Sequence, residues 1–453
     1  MNLYYVPPHQ IEHLHGEVRL DALRLNILYM VQQAGAGHIG SAMSALPIMD
    51  YLYFEEMKPG DIFFSSKGHD CAALYAVLMA QYPLRWIYSH TFRRLGGLPG
   101  HPEISWGGIV TNTGSLGMGL SKAQGIALGR RMNGKTGRIF VLCGDGELQE
   151  GQNWEAIRNI YNRNLHEIHL IVDENGWQCD FETDKTSPGG VKALQMNHFR
   201  WTPRYCENIE HLKVCLEDTS WRTDAPKVYI VKTHKGFDKP YHAGALSEAD
   251  YERIAADILG KLSDASVKVE VTERQPRPFI EKANSLISAY EGLIAEIMGE
   301  NEKVVALDAD LAKDCGLLTV KEKFPDRFFE FGISEQDMVS TAGGLALQSF
   351  IPIVHSFAAF LCRRANEQIY NNATEKTKII YIGAMAGMIP YGPGLSHTCM
   401  DDIALMKTIP GIMVMEPNDV ESIRTALRWA VYQADGPVYI RLNCWPSLEG
   451  MRK

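Results

Sequence analysis

Two short β-rich runs, RIFVLC at residues 138–143 and IHLIVD at 168–173, bracket a glycine turn and a helical pattern over 153–164. Strand, turn, helix, strand is the unit of a parallel sheet, because parallel neighbours need a crossover of a dozen or more residues. A further buried strand is predicted over 226–233 (PKVYIVKT), then a charged, helix-compatible stretch over 247–271. The polar, proline-broken segment TERQPRPF at 272–279 reads as a linker. After it the alternation restarts. Helices are predicted over 285–298, 335–348 and 420–433, and strands at VVALDADL, IPIVHSF, KIIYIGA, GIMVME and PVYIRL. The expected fold class is α/β, with two doubly wound, mostly parallel-sheet domains. Their expected spans are residues 1–271 and 280–453, with the linker at 272–279 between them. Ligands in such sheets sit beyond the carboxyl ends of the strands, where the conspicuous turns fall.

A length of 453 residues accommodates two such cores, and the net charge of -9 argues against nucleic acid or an anionic membrane as partner. The nine cysteines match no disulfide framework or zinc spacing, which points to a reducing compartment. The first residues, MNLYYVPPHQIEHLHGEV, hold no apolar core of signal-peptide length, and no window approaches a membrane span. A soluble, cytoplasmic protein is expected.

The most specific signal is GDGELQEGQNWEA at 144–156, with Asn175 thirty residues after Asp145. Asp145 closes one predicted strand and Asn175 the next. Gly144 and Gly146 let backbone approach a diphosphate. Magnesium takes hard oxygen ligands in octahedral geometry and shares them with phosphates. Asp145, Asn175 and a backbone carbonyl near Trp177 would form the protein's part of such a shell. Alone, a GDG followed by polar residues is usually only a turn. Its partner is TNTGSLGMGLS at 111–121, whose Gly114, Gly117 and Gly119 would open a helix N-terminus to a phosphate.

With these residues in view, the sequence resembles the transketolase family along nearly its whole length. AGAGHIGSAMS, SSKGHDCAALY, GLPGHPE, TGSLGMGLS and GDGELQEGQNWEA stand in the order of the family's diphosphate-binding domain. FGISEQDMV, HSFAAFLCRRANEQ, LSHTCMDDIALM and GPVYIRL resemble its pyrimidine-binding domain. The resemblance implies domains of the thiamine-diphosphate-binding type, with thiamine diphosphate and Mg2+ as cofactors. It implies that Glu335 hydrogen-bonds the aminopyrimidine ring, that Phe357 and Phe360 pack on it, and that Asp310, Gly114 and Leu116 lie near the cofactor. It implies a catalytic set of Glu335 with His38, His69, His101, His242 and His397, the histidines lining a substrate funnel. Glu150 and Glu155 match acidic residues of a subunit interface, so a homodimer with shared active sites is implied. The substrates implied are small carbonyl compounds.

The sequence departs from the family pattern in two ways. The family carries a third α/β domain after the pyrimidine domain, whereas this sequence stops at Lys453, so a separate C-terminal-domain subunit is a candidate partner. The residues that recognise sugar phosphate are also replaced. Pro393 stands at an acidic position, Met385 at a histidine, Cys444 and Leu286 or Ile287 at arginines, and Asp314 at a serine. Without cationic partners a desolvated phosphate is costly. The expected substrate is therefore not an ordinary sugar phosphate, and a nucleotide-linked keto-sugar fits better. Two alternatives stand beside this reading. One is a pyruvate-decarboxylating synthase resembling 1-deoxyxylulose-5-phosphate synthase, and the other is a silent subunit binding a chain that carries the third domain.

Overall fold

The computed structural model describes residues 1–82, 88–94, 96–186, 203–218, 225–241, 244–275, 285–389 and 392–443. The chain forms two compact units. One comprises Met1–Trp177, Ser187–Arg277 and Tyr391–Gly394, the other Gln178–Thr186, Pro278–Pro390 and Leu395–Lys453. Each unit thus takes a short segment from the other's stretch of sequence.

The first unit contains β1 (Asn2–Tyr5), β2 (Ile62–Ser65), β3 (Ile139–Gly144), β4 (Ile168–Glu174), β5 (Pro203–Cys206), β6 (Lys227–Lys232) and β7 (Glu270–Glu273). Five of these build a parallel sheet in the order β2-β3-β4-β6-β5. Both faces of β3 are apolar, and the alternation assigns them to two cores. Phe140 and Leu142 join one face with the helices Gly16–Ala34, Ile39–Tyr51, Cys71–Gln81 and Glu248–Asp264. Ile139, Val141 and Cys143 join the other face with Gly119–Met132 and Gly151–Asn162. A sheet covered on both sides is the arrangement in which continuous apolar strands are stable. β1 and β7 pair antiparallel, from Asn2↔Glu273 to Tyr5↔Glu270. Thr272 and Glu273, expected at the start of the linker, are therefore strand residues. Residues 276–279 of that linker lie outside the described residues.

The second unit repeats the scheme with β8 (Val304–Asp308), β9 (Phe328–Glu330), β10 (Ile351–Phe357), β11 (Ile380–Ala386), β12 (Met413–Met415) and β13 (Val438–Asn443). All are parallel, in the order β12-β13-β11-β10-β8-β9. Val304, Ala306, Ile353, Ile380, Ile382, Val438 and Ile440 face the helices Ser285–Glu300 and Val420–Tyr432. Val305, Leu307, Val354, Tyr381 and Tyr439 face Glu335–Leu347, Ala358–Arg364 and Asn366–Thr374. The α/β class of parallel sheets read from the sequence is the fold observed.

Candidate active site

In the first unit, β3 and β4 are register neighbours through Gly144↔Asp173, so the residues that follow them emerge side by side at the carboxyl edge. The Asp145 carboxylate is buried. It accepts hydrogen bonds from the N–H of Gly146 at 2.9 Å and of Gly176 at 2.7 Å. Burial, reinforced by Asp173 beside it, raises its pKa to about 7. Asn175 Oδ1 accepts from the N–H of Trp177 at 3.0 Å. No group of three or more His, Cys, Asp or Glu side chains among the described residues is arranged to hold a metal. A cation here would rest on one carboxylate, one amide oxygen and one backbone carbonyl, with phosphate oxygens completing the shell. That hard-oxygen set, with a desolvated carboxyl that gains from a cation, fits magnesium diphosphate.

One carboxylate joins the two glycine motifs. Glu147, 2% exposed, accepts from Ser66 Oγ at 2.5 Å and from the N–H of Gly117 at 3.0 Å through Oε1, and from the N–H of Gly144 at 3.3 Å through Oε2. The helix Gly119–Met132 then begins hard against the 66–68 turn. A Cβ on Gly119 would stand 2.1 Å from Ser66 Oγ, and one on Gly117, whose φ is +86°, would stand 2.7 Å from the Glu150 Cβ. Gly114 and Leu116 lie just before this helix, with Gly114 at φ +111°. The second contact is also what becomes of Glu150, which is buried at the start of Gly151–Asn162, whereas Glu155 is exposed on that helix.

Beneath Asp145 lies a network that sequence reading missed. Lys67, 1% exposed, pairs with Asp173 and donates to Ser41 Oγ at 3.0 Å. Asp173 also accepts from Ser44 Oγ at 2.7 Å and from the Thr233 hydroxyl. Lys67 sits inside SSKGHDCAALY, but nothing in a lone lysine announces burial; only the sheet register that sets Asp173 beside it does.

Three of the five expected histidines come together. The His38 ring centroid lies 5.5 Å from that of His69 and 5.9 Å from that of His101. Burial lowers the proton affinity of all three, to about 3 for His101, and the neighbouring cations and imidazoles lower it further. His101 Nδ1 is 2.6 Å from the Pro393 carbonyl and His69 Nδ1 is 3.1 Å from the Lys67 carbonyl. A carbonyl only accepts, so Nδ1 carries the proton in both rings and Nε2 keeps its lone pair. His242 lies outside the described residues.

His397 belongs to the second unit. It meets Phe357 and Phe360 edge-on, at centroid distances of 6.0 and 5.0 Å, and the two phenylalanines stack at 5.8 Å. Glu335, 2% exposed, begins the helix Glu335–Leu347 and is paired with Arg364. Asp310 adopts φ +59°, and its carboxylate accepts from the N–H of Cys179 at 2.7 Å and of Asp180 at 3.2 Å. Burial pushes the Asp310 carboxyl well up. Among the replaced positions, Leu286 packs in the core and Asp314 has its pKa raised to about 6 by burial and by Asp180. Cys444 lies outside the described residues.

The family model for the transketolase thiamine diphosphate binding domain matches residues 17–255, more than half the chain, and the model for the transketolase pyrimidine binding domain matches residues 282–444. The chain belongs to the transketolase family. It is a thiamine-diphosphate-dependent transferase by that membership. Human transketolase is similar at 28% identity over 455 residues, covering 93% of this chain and 73% of that protein. A 1-deoxy-D-xylulose-5-phosphate synthase from Rhodococcus erythropolis is similar at 26% identity over 472 residues, covering 95% and 71%. Among solved structures, the Leishmania mexicana transketolase aligns at TM-score 0.48 and 22% identity over 99% of this chain and 80% of that one. The Campylobacter jejuni transketolase aligns at 0.46 and 21% over 95% and 79%. Among the described residues no helix of this transketolase-family chain is long and apolar enough to cross a membrane.

Proposed function

We propose that the chain moves a two-carbon unit from a keto donor to a carbonyl acceptor that is not a standard sugar phosphate, with a nucleotide-linked keto-sugar as the candidate acceptor. The observation that carries this reading is the chemistry at the replaced phosphate positions: Leu286 is a core residue, and Asp314 is an acid desolvated enough to be raised to about 6. Neither can partner a phosphate dianion. Bound thiamine diphosphate supplies an electron sink for breaking the carbon–carbon bond. Asp145, Asn175 and the Trp177 carbonyl would hold Mg2+, and the Gly114–Gly117 turn, with Leu116, would lie along the diphosphate. Glu335 would hydrogen-bond the aminopyrimidine, with Phe357 and Phe360 against the ring and Asp310 nearby. His38, His69 and His101, neutral at working pH, would accept protons from substrate hydroxyls, His69 and His101 through Nε2, with His242 and His397 completing the catalytic set.

The working unit proposed is a cytoplasmic homodimer with shared active sites, with Glu150 and Glu155 at the interface. A separate chain carrying the family's third domain is proposed as a partner. Steady-state comparison of acceptors tests the substrate: faster turnover with nucleotide-linked keto-sugars supports the proposal. Efficient exchange between xylulose 5-phosphate and ribose 5-phosphate would sink it. The similarity to a 1-deoxy-D-xylulose-5-phosphate synthase favours one second reading, in which pyruvate is the donor. Carbon dioxide release from pyruvate separates the two.

A further inference from the structure

We propose that Asp308 and Glu330 share one buried proton, and that this carboxyl–carboxylate pair positions Asp310 and the turn that leads into Glu335. The two residues are register partners on the parallel strands β8 and β9, at the carboxyl end of each. Their oxygens can be accounted for one by one. Asp308 Oδ2 accepts from the N–H of Leu311 at 2.8 Å. Glu330 Oε1 accepts from the N–H of Asp310 and of Gly332, both at 2.8 Å. The remaining two, Asp308 Oδ1 and Glu330 Oε2, are buried and receive no hydrogen bond.

Two adjacent ionised carboxylates in this position would each carry an unmatched charge in a low dielectric, whereas one proton between them removes one charge and satisfies both oxygens. Among the described residues, the titratable groups that face the pair supply no cation. They are the Asp180 and Asp310 carboxyls and the Cys315 thiol. His355, on the adjoining strand β10, is held neutral by burial between the Leu307 carbonyl and the Tyr290 hydroxyl. Lys313 is exposed. Burial and the neighbouring Glu330 push the Asp308 carboxyl well up, which makes Asp308 the donor and Glu330 the acceptor.

The arrangement acts on two turns at once. Glu330 Oε1 grips Asp310, held at a left-handed φ of +59°, and Gly332 at φ +67°, three residues before Glu335. A non-glycine residue keeps such a conformation only where its surroundings impose it. The proton itself does not depend on the proposed function. Only the importance of Asp310 and Glu335 rests on that reading.

Asp308→Asn replaces the proton by a permanent N–H donor, so it preserves the grip and removes the titration. In the folded wild type the pair keeps a proton that an unfolded Asp gives up above about pH 4, so rising pH favours unfolding. The unfolding equilibrium constant of the wild type should therefore grow about tenfold per pH unit relative to Asp308→Asn from about pH 5 to 7. Infrared spectra near neutral pH should show a protonated-carboxyl band that Asp308→Asn lacks. If that variant folds poorly, Glu330→Gln serves the infrared test, since its amide donates to an ionised Asp308 and the band should again vanish. In calorimetry with thiamine diphosphate and magnesium, Asp308→Asn should bind as the wild type does and Asp308→Leu at least about tenfold more weakly. Parallel stability curves with no lost band would overturn the shared proton. Failure of the wild type to bind thiamine diphosphate would sink the cofactor reading and leave the stability and infrared results as they stand.

Discussion

Arg364 Nη1 donates to both carboxylate oxygens of Glu335, at 3.1 and 2.9 Å, and both side chains are almost fully buried. The guanidinium also lies 5.2 Å from the centroid of the Phe360 ring. Within the second unit, the proposed ring-binding glutamate and one of the proposed ring-packing aromatics therefore answer to the same arginine.

Removing one member of a buried pair strands the other, at a cost of about 3–5 kcal/mol. Arg364→Met should lower stability to chemical denaturant by that order. In the Arg364→Met background Glu335→Gln should cost much less than it does in the wild type, since the stranded charge is gone. Strictly additive losses in the double-substitution cycle would show that the pair is not coupled.

Acid should destabilise the first unit from an unusually high pH. Unfolded imidazoles take up protons near pH 6.5, while folded His101 resists protonation to about 3, and His38 and His69 shift in the same direction. Above the unfolded value there is no penalty. Below it, each histidine removes about 1.4 kcal/mol per pH unit until its folded value is reached. Denaturant titrations between about pH 6 and 4 should show this slope, and His101→Asn should reduce it by about one proton. An unchanged slope would mean that His101 charges freely in the folded protein.

Two glycines of one helix should respond in opposite senses. Gly119→Ala drives a methyl into Ser66 and should cost about 1–3 kcal/mol while weakening thiamine diphosphate binding. Gly125→Ala meets nothing within 4 Å and should raise stability by up to about 1 kcal/mol without touching binding. Calorimetric melting and cofactor titration of both variants check the contrast.

Strands that are apolar on both faces announce themselves in a sequence. β3, β4, β6, β8, β10 and β11 lie where runs rich in Val, Ile, Leu and aromatic residues predict them. β9 did not, because three residues ending in Glu330 carry no periodicity, and β7 did not, because Glu270–Glu273 holds a single apolar residue, Val271, in a two-stranded pair. In the candidate site, the placement of Asp145 and Asn175 just after adjacent strands was legible, because two apolar runs with a helix between them predict parallel neighbours. The links between motifs were not. Glu147 binding Gly117, Lys67 meeting Asp173, and Asp308 opposite Glu330 depend on register and loop closure, which residue type does not encode locally.

The segment 392–394 packs within the first unit, where the Gly100 N–H donates to the Gly392 carbonyl at 2.9 Å and the Pro393 carbonyl accepts from the His101 Nδ1–H. As the chain leaves the ribosome, His101 must wait for a residue synthesised well after Arg277 before its ring is held. The histidine cluster is thus among the last parts of the first unit to be completed during synthesis. A nascent chain halted between the two units would contain every strand of the first sheet but not the carbonyl that holds His101.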